Sequence, residues 1–377
     1  MLFTFIPGFF VLCYAVVALA VSLATRLGRK DSVSDMDADY PSVSIVVAVR
    51  NEALQIRECL ECLLQQDYES GLYEILVVDD DSQDSTADIV NKMSGQDGRI
   101  KVLHARNHKG NLFAKTRPLD VGIRASKAQF IATTDADCRP PSSWLKTLVR
   151  EALKYDKDMV CGCTVVDGPR LTQRIQRLDW LSLKCVAAGL DILGKPLTAM
   201  GNNMLFSRNL YLSLGGFEKM GQSVTEDYLF YRSVARANPD RGMITTSPGA
   251  TNVTIGESSF LDLLNQKKRW LVGGTDSPPF AWILFVIFFA AHFSIVGTLV
   301  FEPYLGAALL VVKFAADAAM IRALSAQLKV NVPWILLPAY QLYQLVSAIV
   351  LPVALVMTPR VDWKSRQLSL TPHRSAS

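Results

Sequence analysis

Three long stretches without a charged residue constrain this chain more than any other feature. Residues 1–25, 277–301 and 330–359 contain no Asp, Glu, Lys or Arg, although 20% of the whole chain is charged. A helix of about 25 residues is about 37 Å long, and the apolar core of a bilayer is about 30 Å thick. The pattern therefore predicts an N-terminal transmembrane helix over 1–25 and C-terminal membrane segments over 277–359.

Two of these segments have alternative interpretations. Residues 1–25 could be a cleaved signal peptide, but such a peptide has a basic residue before its apolar run and none is present here. The segment 304–324 is apolar but contains Lys313, Asp317 and Arg322, so it could be a span or an amphipathic helix on the membrane surface. We therefore expect one N-terminal and two to three C-terminal transmembrane helices.

The basic residues beside the membrane segments predict an orientation. Arg26, Arg29 and Lys30 follow the first apolar run directly, and basic residues preferentially stay in the cytoplasm. This predicts an integral, multi-pass membrane protein with residues 41–276 on the cytoplasmic side, at the plasma (inner) membrane if the cell is bacterial. The tail 360–377 is also basic, which would require an even number of C-terminal spans. The sequence leaves that count open.

The region 41–276, reached through a linker over 26–40, has the alternating strand and helix signals of an α/β domain. Apolar runs at 43–49, 74–78 and 129–134 read as buried strands, and each is followed by polar or acidic residues. We expect Asn51 to cap a helix and another helix to start near Ser85. The order strand, helix, strand implies a parallel sheet, and ligands bind at the carboxyl ends of its strands.

Several other classes of site fit poorly. The net charge of +4 is small and the basic residues are scattered, so no nucleic-acid partner is expected. No glycine-rich dinucleotide or P-loop motif is present. Cys59 and Cys62 lack a histidine cluster and read as structural thiols rather than zinc ligands. Asp35, Asp37 and Asp39 read as solvated linker because no strand precedes them.

Asp135 and Asp137 differ from the linker acids because they close an apolar strand. Two carboxylates at positions i and i+2 of a turn can point the same way and hold a divalent cation that is also bound to a diphosphate. From their spacing alone, an ordinary polar turn is the more frequent alternative.

Five motifs in order carry a family resemblance. They are 47–52 (VAVRNE), 77–86 (VVDDDSQDST), 135–137 (DAD), 225–227 (TED) and 266–270 (QKKRW). Together they resemble the membrane-bound family 2 glycosyltransferases, the group of cellulose and hyaluronan synthases and ceramide glucosyltransferase. The resemblance implies a GT-A fold, which is a nucleotide-diphospho-sugar transferase domain of the α/β class. It also implies inverting transfer of a sugar from a nucleotide donor, usually UDP-linked, with Mg²⁺ or Mn²⁺ as cofactor.

The resemblance assigns roles position by position. Asp227, with Glu226 beside it, corresponds to the general base, and Asp135 and Asp137 correspond to the metal site. Where the family usually has Gly, this chain has Asp81, so the base-binding turn could differ. The remaining positions implied to bind the donor are Glu52, Asp80, Lys115, Asp135, Gln266, Arg269 and Trp270. Asn202 and Asn203 match the acceptor segment more loosely and could equally form a turn.

These roles suit the chemistry. A leaving nucleoside diphosphate gains negative charge, which a cation and basic side chains stabilise, and inversion needs one carboxylate to deprotonate the attacking hydroxyl. Purely structural roles are the alternatives. Thr225 could cap a helix with acids in its first turn, and Trp270 could anchor the protein at the membrane surface.

At the level of function, we expect transfer to a lipid or lipid-linked acceptor, with a processive polysaccharide synthase as the alternative. One N-terminal and two to three C-terminal spans are too few to line a sugar channel unless the protein forms a homo-oligomer or has a membrane partner. An inactive nucleotide-sugar-binding scaffold is the alternative of another class, and a transporter would need more spans.

Overall fold

A computed structural model describes residues 2–28, 39–108, 110–221, 223, 225–274, 277–357, 360–363 and 366–369. Asp35 and Asp37, most of the linker and much of the basic tail lie outside these ranges. The chain divides into two compact units. The helical unit comprises Met1–Lys30, Val166–Leu197 and Gly256–Val361, and the sheet unit comprises Asp31–Val165, Thr198–Ile255 and Asp362–Ser377.

The described residues form helices and strands in alternation through the middle of the chain. The helices are α1 (Leu2–Leu27), α2 (Ile56–Leu64), α3 (Thr86–Ser94), α4 (Thr116–Ala125), α5 (Trp144–Lys154), α6 (Leu171–Ile192), α7 (Arg208–Ser213), α8 (Gly216–Met220), α9 (Glu226–Ala237), α10 (Phe260–Gly273), α11 (Pro279–Phe301), α12 (Pro303–Leu328) and α13 (Leu337–Met357). The strands are β1 (Val43–Val49), β2 (Tyr73–Asp79), β3 (Ile100–His104), β4 (Phe130–Asp135), β5 (Cys138–Arg139), β6 (Met159–Cys161), β7 (Thr164–Asp167), β8 (Met204–Ser207), β9 (Gly242–Ile244), β10 (Asn252–Ile255), β11 (Arg360–Trp363) and β12 (Arg366–Ser369).

The large sheet has the order β3-β2-β1-β4-β8-β6-β9. The strands β3, β2, β1 and β4 are parallel, as their apolar runs and the intervening helices predict. Beyond β4 the sheet is mixed, because β8 runs antiparallel to both β4 and β6. The prediction of a parallel sheet therefore holds for the half that carries the first three motifs and is incomplete for the rest.

Apolar side chains from the strands and from α2, α3 and α5 form the main core of the sheet unit, with Ile45, Val47, Leu60 and Trp144 fully buried. The strand predictions at 43–49, 74–78 and 129–134 are confirmed. The prediction that Asn51 caps a helix is wrong. Gln55 precedes the first residue of α2, and Asn51 instead has a positive φ of 53° in the turn that follows β1.

Among the described residues of the helical unit, four helices are long and apolar enough to cross a membrane, at Ile6–Leu27, Pro279–Phe301, Pro303–Leu328 and Trp334–Ala354. One is N-terminal and three are C-terminal, in agreement with the predicted range. Helix α1 packs against α11 and α12, which favours an anchor over a cleaved signal peptide. Lys313 and Asp317 of α12 are fully buried, which favours a span over an amphipathic surface helix.

Helix α6 contains residues 178–192 of an apolar segment and packs against α1, α12 and α13. The crossing with α1 is close, because a Cβ on Gly189 would lie 2.6 Å from the Cβ of Val21. A larger residue at position 189 would separate the two backbones. The segment therefore belongs to the helical unit rather than to the core under the sheet.

Candidate active site

The carboxyl ends of β1, β2 and β4 bring three of the motifs to one edge of the sheet. Val49 pairs with Asp79 across the β1–β2 ladder, and Ala48 pairs with Asp135 across the β1–β4 ladder. Because parallel strands end at the same edge, the turns after them are neighbours. The motif residues of 50–52, 79–81 and 135–137 therefore share this edge, as the sequence predicts.

Lys115 joins that edge to the start of α9. Its ammonium Nζ lies 2.5 Å from Asp135 Oδ1 and 3.2 Å from Glu226 Oε1, and its side chain is only 17% exposed. Burial by itself would lower the pKa of Lys115, but the Asp135 and Glu226 carboxylates more than offset this effect and hold the pKa well above its usual range. The group is therefore a permanent cation at the meeting point of two acidic motifs.

The acidic pair at the start of α9 has two different environments. Glu226 is buried, and its burial raises the pKa, as does the charge of Asp227, while Lys115 opposes both effects. Asp227 is partly exposed and accepts backbone hydrogen bonds, from Gly201 N on Oδ2 (2.9 Å) and from Tyr228 N on Oδ1 (2.8 Å). Thr225 precedes the helix as expected, but its side chain makes no capping hydrogen bond. The two acids are thus held by the fold rather than loosely solvated.

Asp135 and Asp137 provide the oxygen ligands that Mg²⁺ and Mn²⁺ prefer. Thr254 Oγ1 donates to Asp137 Oδ2 over 3.2 Å, and Asp135 faces Lys115. Within the described parts of the chain, no group of three or more His, Cys, Asp or Glu side chains is placed to hold an ion. Two carboxylates fit a divalent ion that also takes oxygen ligands from a bound diphosphate.

The cysteines near this edge are neutral thiols. Burial, followed by the charge of Asp137, raises the pKa of Cys59 and of Cys138 well above the usual range. Cys62 lies on the same helix as Cys59, and its pKa is also raised by burial. The thiols are therefore protonated and pack as small apolar groups, as the interpretation of Cys59 and Cys62 as structural thiols expects.

Asp80 and Asp81 are engaged by Arg117, a residue that the sequence analysis missed. Asp80 is 1% exposed and accepts from Arg117 Nε over 3.0 Å, and Arg117 Nη2 also reaches Asp81 Oδ2 at 3.0 Å. Arg50 donates to the backbone oxygens of both aspartates, over 3.0 Å for Asp81. Arg117 lies two residues after Lys115 on α4, and that proximity was the only available signal.

Glu52 lies in the turn after β1. Its backbone N–H donates to Thr86 Oγ1 over 2.8 Å, which ties this turn to the first residue of α3. The carboxylate is close enough to Cys59 for its charge to raise the pKa of that thiol. Glu52 thus stays at the strand edge where the resemblance places the nucleoside, and its contact with a donor stays a prediction.

The two asparagines of the predicted acceptor segment differ. Asn203 is fully buried and its amide holds the framework together, accepting from Trp144 Nε1 and donating to Cys163 O and Ala250 O, each over 2.8 Å. In this conformation the Asn203 side chain has no exposed atom to offer an acceptor. Asn202 is partly exposed and accepts from Thr164 Oγ1 over 2.8 Å, so its predicted role stays open to test.

The residues of the last motif lie on α10 in the helical unit. Gln266 Nε2 donates to Glu257 Oε1 over 3.1 Å, Trp270 packs on Trp180 with ring centroids 5.5 Å apart, and Arg269 is partly exposed. These contacts are all within the helical unit. The role of Gln266, Arg269 and Trp270 toward the donor stays a prediction.

The fold is of the GT-A type, and the class it defines is that of nucleotide-sugar glycosyltransferases. Residues 44–215 match the family described as glycosyl transferase family 2, and residues 130–358 match the glycosyl transferase family group 2. The second match covers more than half of the chain, so the chain belongs to glycosyltransferase family 2. The predictions of a family 2 enzyme and a GT-A fold are confirmed.

Named relatives agree with this family. The glycosyltransferase AglE of Haloferax volcanii is 33% identical over 144 residues, which are 38% of this chain and 46% of that protein. The beta-monoglucosyldiacylglycerol synthase of Synechocystis is 24% identical over 243 residues, 62% of this chain and 48% of that protein. The chain spans about a third to a half of the length of the first curated relatives it matches.

A solved structure supports the fold over nearly the whole chain. The mannosyltransferase PcManGT of Pyrobaculum calidifontis, in complex with GDP-Man and Mn²⁺, superposes with a TM-score of 0.62 at 20% identity. The likeness covers 92% of this chain and 98% of that one. At this identity the likeness concerns the fold alone.

Proposed function

We propose that the protein is a membrane-bound inverting glycosyltransferase that moves a sugar from a nucleotide sugar to a lipid or lipid-linked acceptor. One observation carries the proposal: Lys115 Nζ contacts both Asp135 (2.5 Å) and Glu226 (3.2 Å). This contact joins the predicted diphosphate end of the donor site to Glu226, the residue directly before the predicted base Asp227. A reacting sugar would have to lie between those two groups.

In this proposal the residues have separate tasks. Asp227 takes the proton from the attacking hydroxyl, and the neighbouring Glu226 holds Lys115 in place. Lys115 offsets the negative charge that grows on the leaving diphosphate. Asp135 and Asp137 would hold Mg²⁺ or Mn²⁺, which when bound would offset that same charge. Glu52 and Asp80 face the nucleoside, and Gln266, Arg269 and Trp270 act on the donor from α10.

The proposal of a lipid acceptor rests on two observations. The helical unit contains four helices that could cross a membrane, and the synthase of Synechocystis is named for a diacylglycerol product. The donor is the less defined partner, since the resemblance favours UDP while the solved neighbour holds GDP-Man. A donor screen should therefore include UDP-linked and GDP-linked sugars, with the purified protein in lipid nanodiscs.

The products of that screen distinguish the alternatives. Mass analysis showing one sugar on a lipid, with the anomeric configuration inverted, would support the proposal. Long soluble chains would instead identify a processive polysaccharide synthase. Binding of a nucleotide sugar without nucleotide release, for every donor and acceptor, would identify an inactive scaffold.

Asp227→Asn tests the general base. We expect turnover to fall by about 10²- to 10⁴-fold, because an amide cannot accept the proton. One amide oxygen can still accept from Gly201 or Tyr228, so nucleotide binding should persist. Nucleotide release and calorimetric binding are measured side by side. Asp158→Asn, which loses only its contact with Arg241, is the control, and full turnover by Asp227→Asn would contradict the assignment.

Asp137→Asn tests the metal site. The amide can still accept from Thr254, but it lacks the charge that binds a divalent cation. We expect Mn²⁺ to strengthen the binding of UDP or GDP to the unmodified protein and to have no such effect on the variant. Calorimetric titrations with and without Mn²⁺ check this result, with Asp67→Asn at an exposed ion pair as control. An equal Mn²⁺ effect in both proteins would exclude this role for Asp137.

The proposed location is an integral, multi-pass membrane protein with the sheet unit on the cytoplasmic side. Arg26 at the end of α1 supports this orientation. Three C-terminal spans would place the basic tail on the other side, against the expectation from its charge. Reporter fusions at the C-terminus measure the side directly. Cross-linking in nanodiscs would show whether the protein is a homo-oligomer.

A further inference from the structure

A buried carboxylate connects α4, the helix that directly follows Lys115, to α7 and α8, the two short helices that precede α9. Asp120 lies on α4 and is fully buried. Its Oδ1 accepts from the Tyr211 hydroxyl (2.6 Å), and its Oδ2 accepts from Arg124 Nε (2.7 Å) and contacts His108 Nε2 (3.2 Å). We call these four residues, Asp120, His108, Arg124 and Tyr211, the Asp120 hub.

On one side the hub holds the segment before α4. The backbone N–H of Gly110 donates to His108 Nδ1 over 2.9 Å, so the ring proton is on Nε2 and points to Asp120. A Cβ on Gly110 would lie 2.5 Å from His108 Cε1, so a larger residue there would displace the imidazole ring. Lys115 ends this segment and directly precedes the first residue of α4.

On the other side the hub holds α8, which is followed by α9. The backbone N–H of Phe217 donates to the Tyr211 hydroxyl oxygen over 3.1 Å. The preceding Gly216 has a φ of +68°, and a Cβ there would lie 3.2 Å from Asp120 Oδ1 and 2.9 Å from Arg124 Nη2. The chain therefore passes close to Asp120 shortly before it reaches Glu226 and Asp227.

Because one tyrosine bridges Asp120 and Phe217, we propose that Tyr211 is a positioning residue that sets the place of Asp227 and Glu226 relative to Lys115. This inference rests on the proposed function, in which those three residues act on the same reacting sugar. Tyr211 would touch neither donor nor acceptor. It acts through the path from Asp120 on α4, through its own hydroxyl, to Phe217 on α8.

Burial and the Asp120 carboxylate raise the pKa of Tyr211, so its hydroxyl stays protonated and keeps donating to Asp120. Arg124 lies beside that carboxylate and is partly exposed. Replacing Tyr211 with Phe removes the hydroxyl and so breaks the link between Asp120 and α8. The substitution keeps a neutral aromatic ring in the same place. Its ring packs on Phe217 and Phe230, and Phe keeps both contacts.

The test is Tyr211→Phe in the full-length protein in nanodiscs, compared with Tyr68→Phe. The control loses one partly buried hydroxyl hydrogen bond of similar length, from Tyr68 to Pro41 O (2.6 Å), elsewhere in the sheet unit. We expect Tyr211→Phe to lower kcat by about 10- to 100-fold, because a misplaced base reacts slowly, with the affinity for UDP or GDP unchanged. Its melting temperature should fall further than that of the control, because Tyr211 loses two hydrogen bonds and Tyr68 loses one.

Amide hydrogen exchange of residues 216–237 tests the proposal without requiring any enzymatic turnover. Tyr211→Phe should speed exchange there and Tyr68→Phe should not. Unchanged exchange, an unchanged kcat, or equal losses in kcat, nucleotide affinity and melting temperature would each overturn the proposal. If the unmodified protein transfers no sugar with any donor, the proposed function fails, and the exchange result still decides whether Tyr211 positions α8 and α9.

Discussion

The family resemblance leads us to expect Gly where this chain has Asp81, and the backbone at Asp81 has a conformation that favours Gly. Its φ is +60°, in the left-handed region that L-residues with a Cβ disfavour and glycine adopts freely. Aspartate is among the side chains that tolerate this region best. Here the carboxylate also gains a contact with Arg117 Nη2 at 3.0 Å, which offers a physical reason for the departure from Gly.

Asp81→Gly and Asp81→Ala separate the two effects. Both variants lose the contact with Arg117, but only alanine keeps a Cβ at a positive φ. We therefore expect Asp81→Gly to be more stable than Asp81→Ala by about 1 kcal/mol. Thermal unfolding of the two variants side by side measures the difference. Equal melting temperatures would show that the turn relaxes to a negative φ when the aspartate is absent.

At the scale of elements, the sequence predicts best the features that depend on local pattern. The strands β1, β2 and β4 are apolar runs that end in polar residues, so both the strands and the acidic groups at their ends could be predicted. The antiparallel strand β8 could not, because its pairing depends on the return of the chain after α6. The start of α2 was misplaced because Asn51 acts in a turn, where its Oδ1 accepts from Gln83 N.

The site residues that could not be predicted from the sequence have one physical feature in common. Arg117, Asp120 and Tyr211 act through contacts between elements that are distant in sequence, and none of them follows a strand end. Asn203 is the opposite case, because the sequence predicts an acceptor contact, whereas its amide is hydrogen-bonded to Trp144, Cys163 and Ala250 in the structure. Partners of this kind become visible only when the packing of the sheet unit is known.

At the scale of the whole molecule, a polar network inside the helical unit links helices that are otherwise apolar. Lys313 Nζ donates to Asp317 Oδ2 (2.7 Å), Gln341 Oε1 (2.8 Å) and Gln344 Oε1 (2.5 Å), so all three of its protons are used. Asp317 also accepts from Gln341 Nε2 and from the hydroxyl of Tyr14. The network thereby connects α1, α12 and α13, and the charges that made α12 ambiguous in sequence face protein rather than lipid.

Because the polar groups of this network satisfy one another, removal of a single member should strongly destabilise the folded protein. Removing a single partner of a buried ion pair costs about 3–5 kcal/mol, because the other charge stays buried alone. We therefore expect Asp317→Leu and Lys313→Met each to lower the melting temperature of the detergent-solubilised protein strongly. The double variant should recover part of that loss, although the Gln341 and Gln344 side chains still lack their ammonium partner.

Lys146→Met removes an ion pair with Asp67 that is largely exposed, and such a pair contributes about 0–1 kcal/mol, so this control should change little. The decisive comparison is between the double variant and the two single variants. If the double variant loses as much stability as the two single variants together, the two charges are not coupled, and the ion pair does not account for the stability of the network.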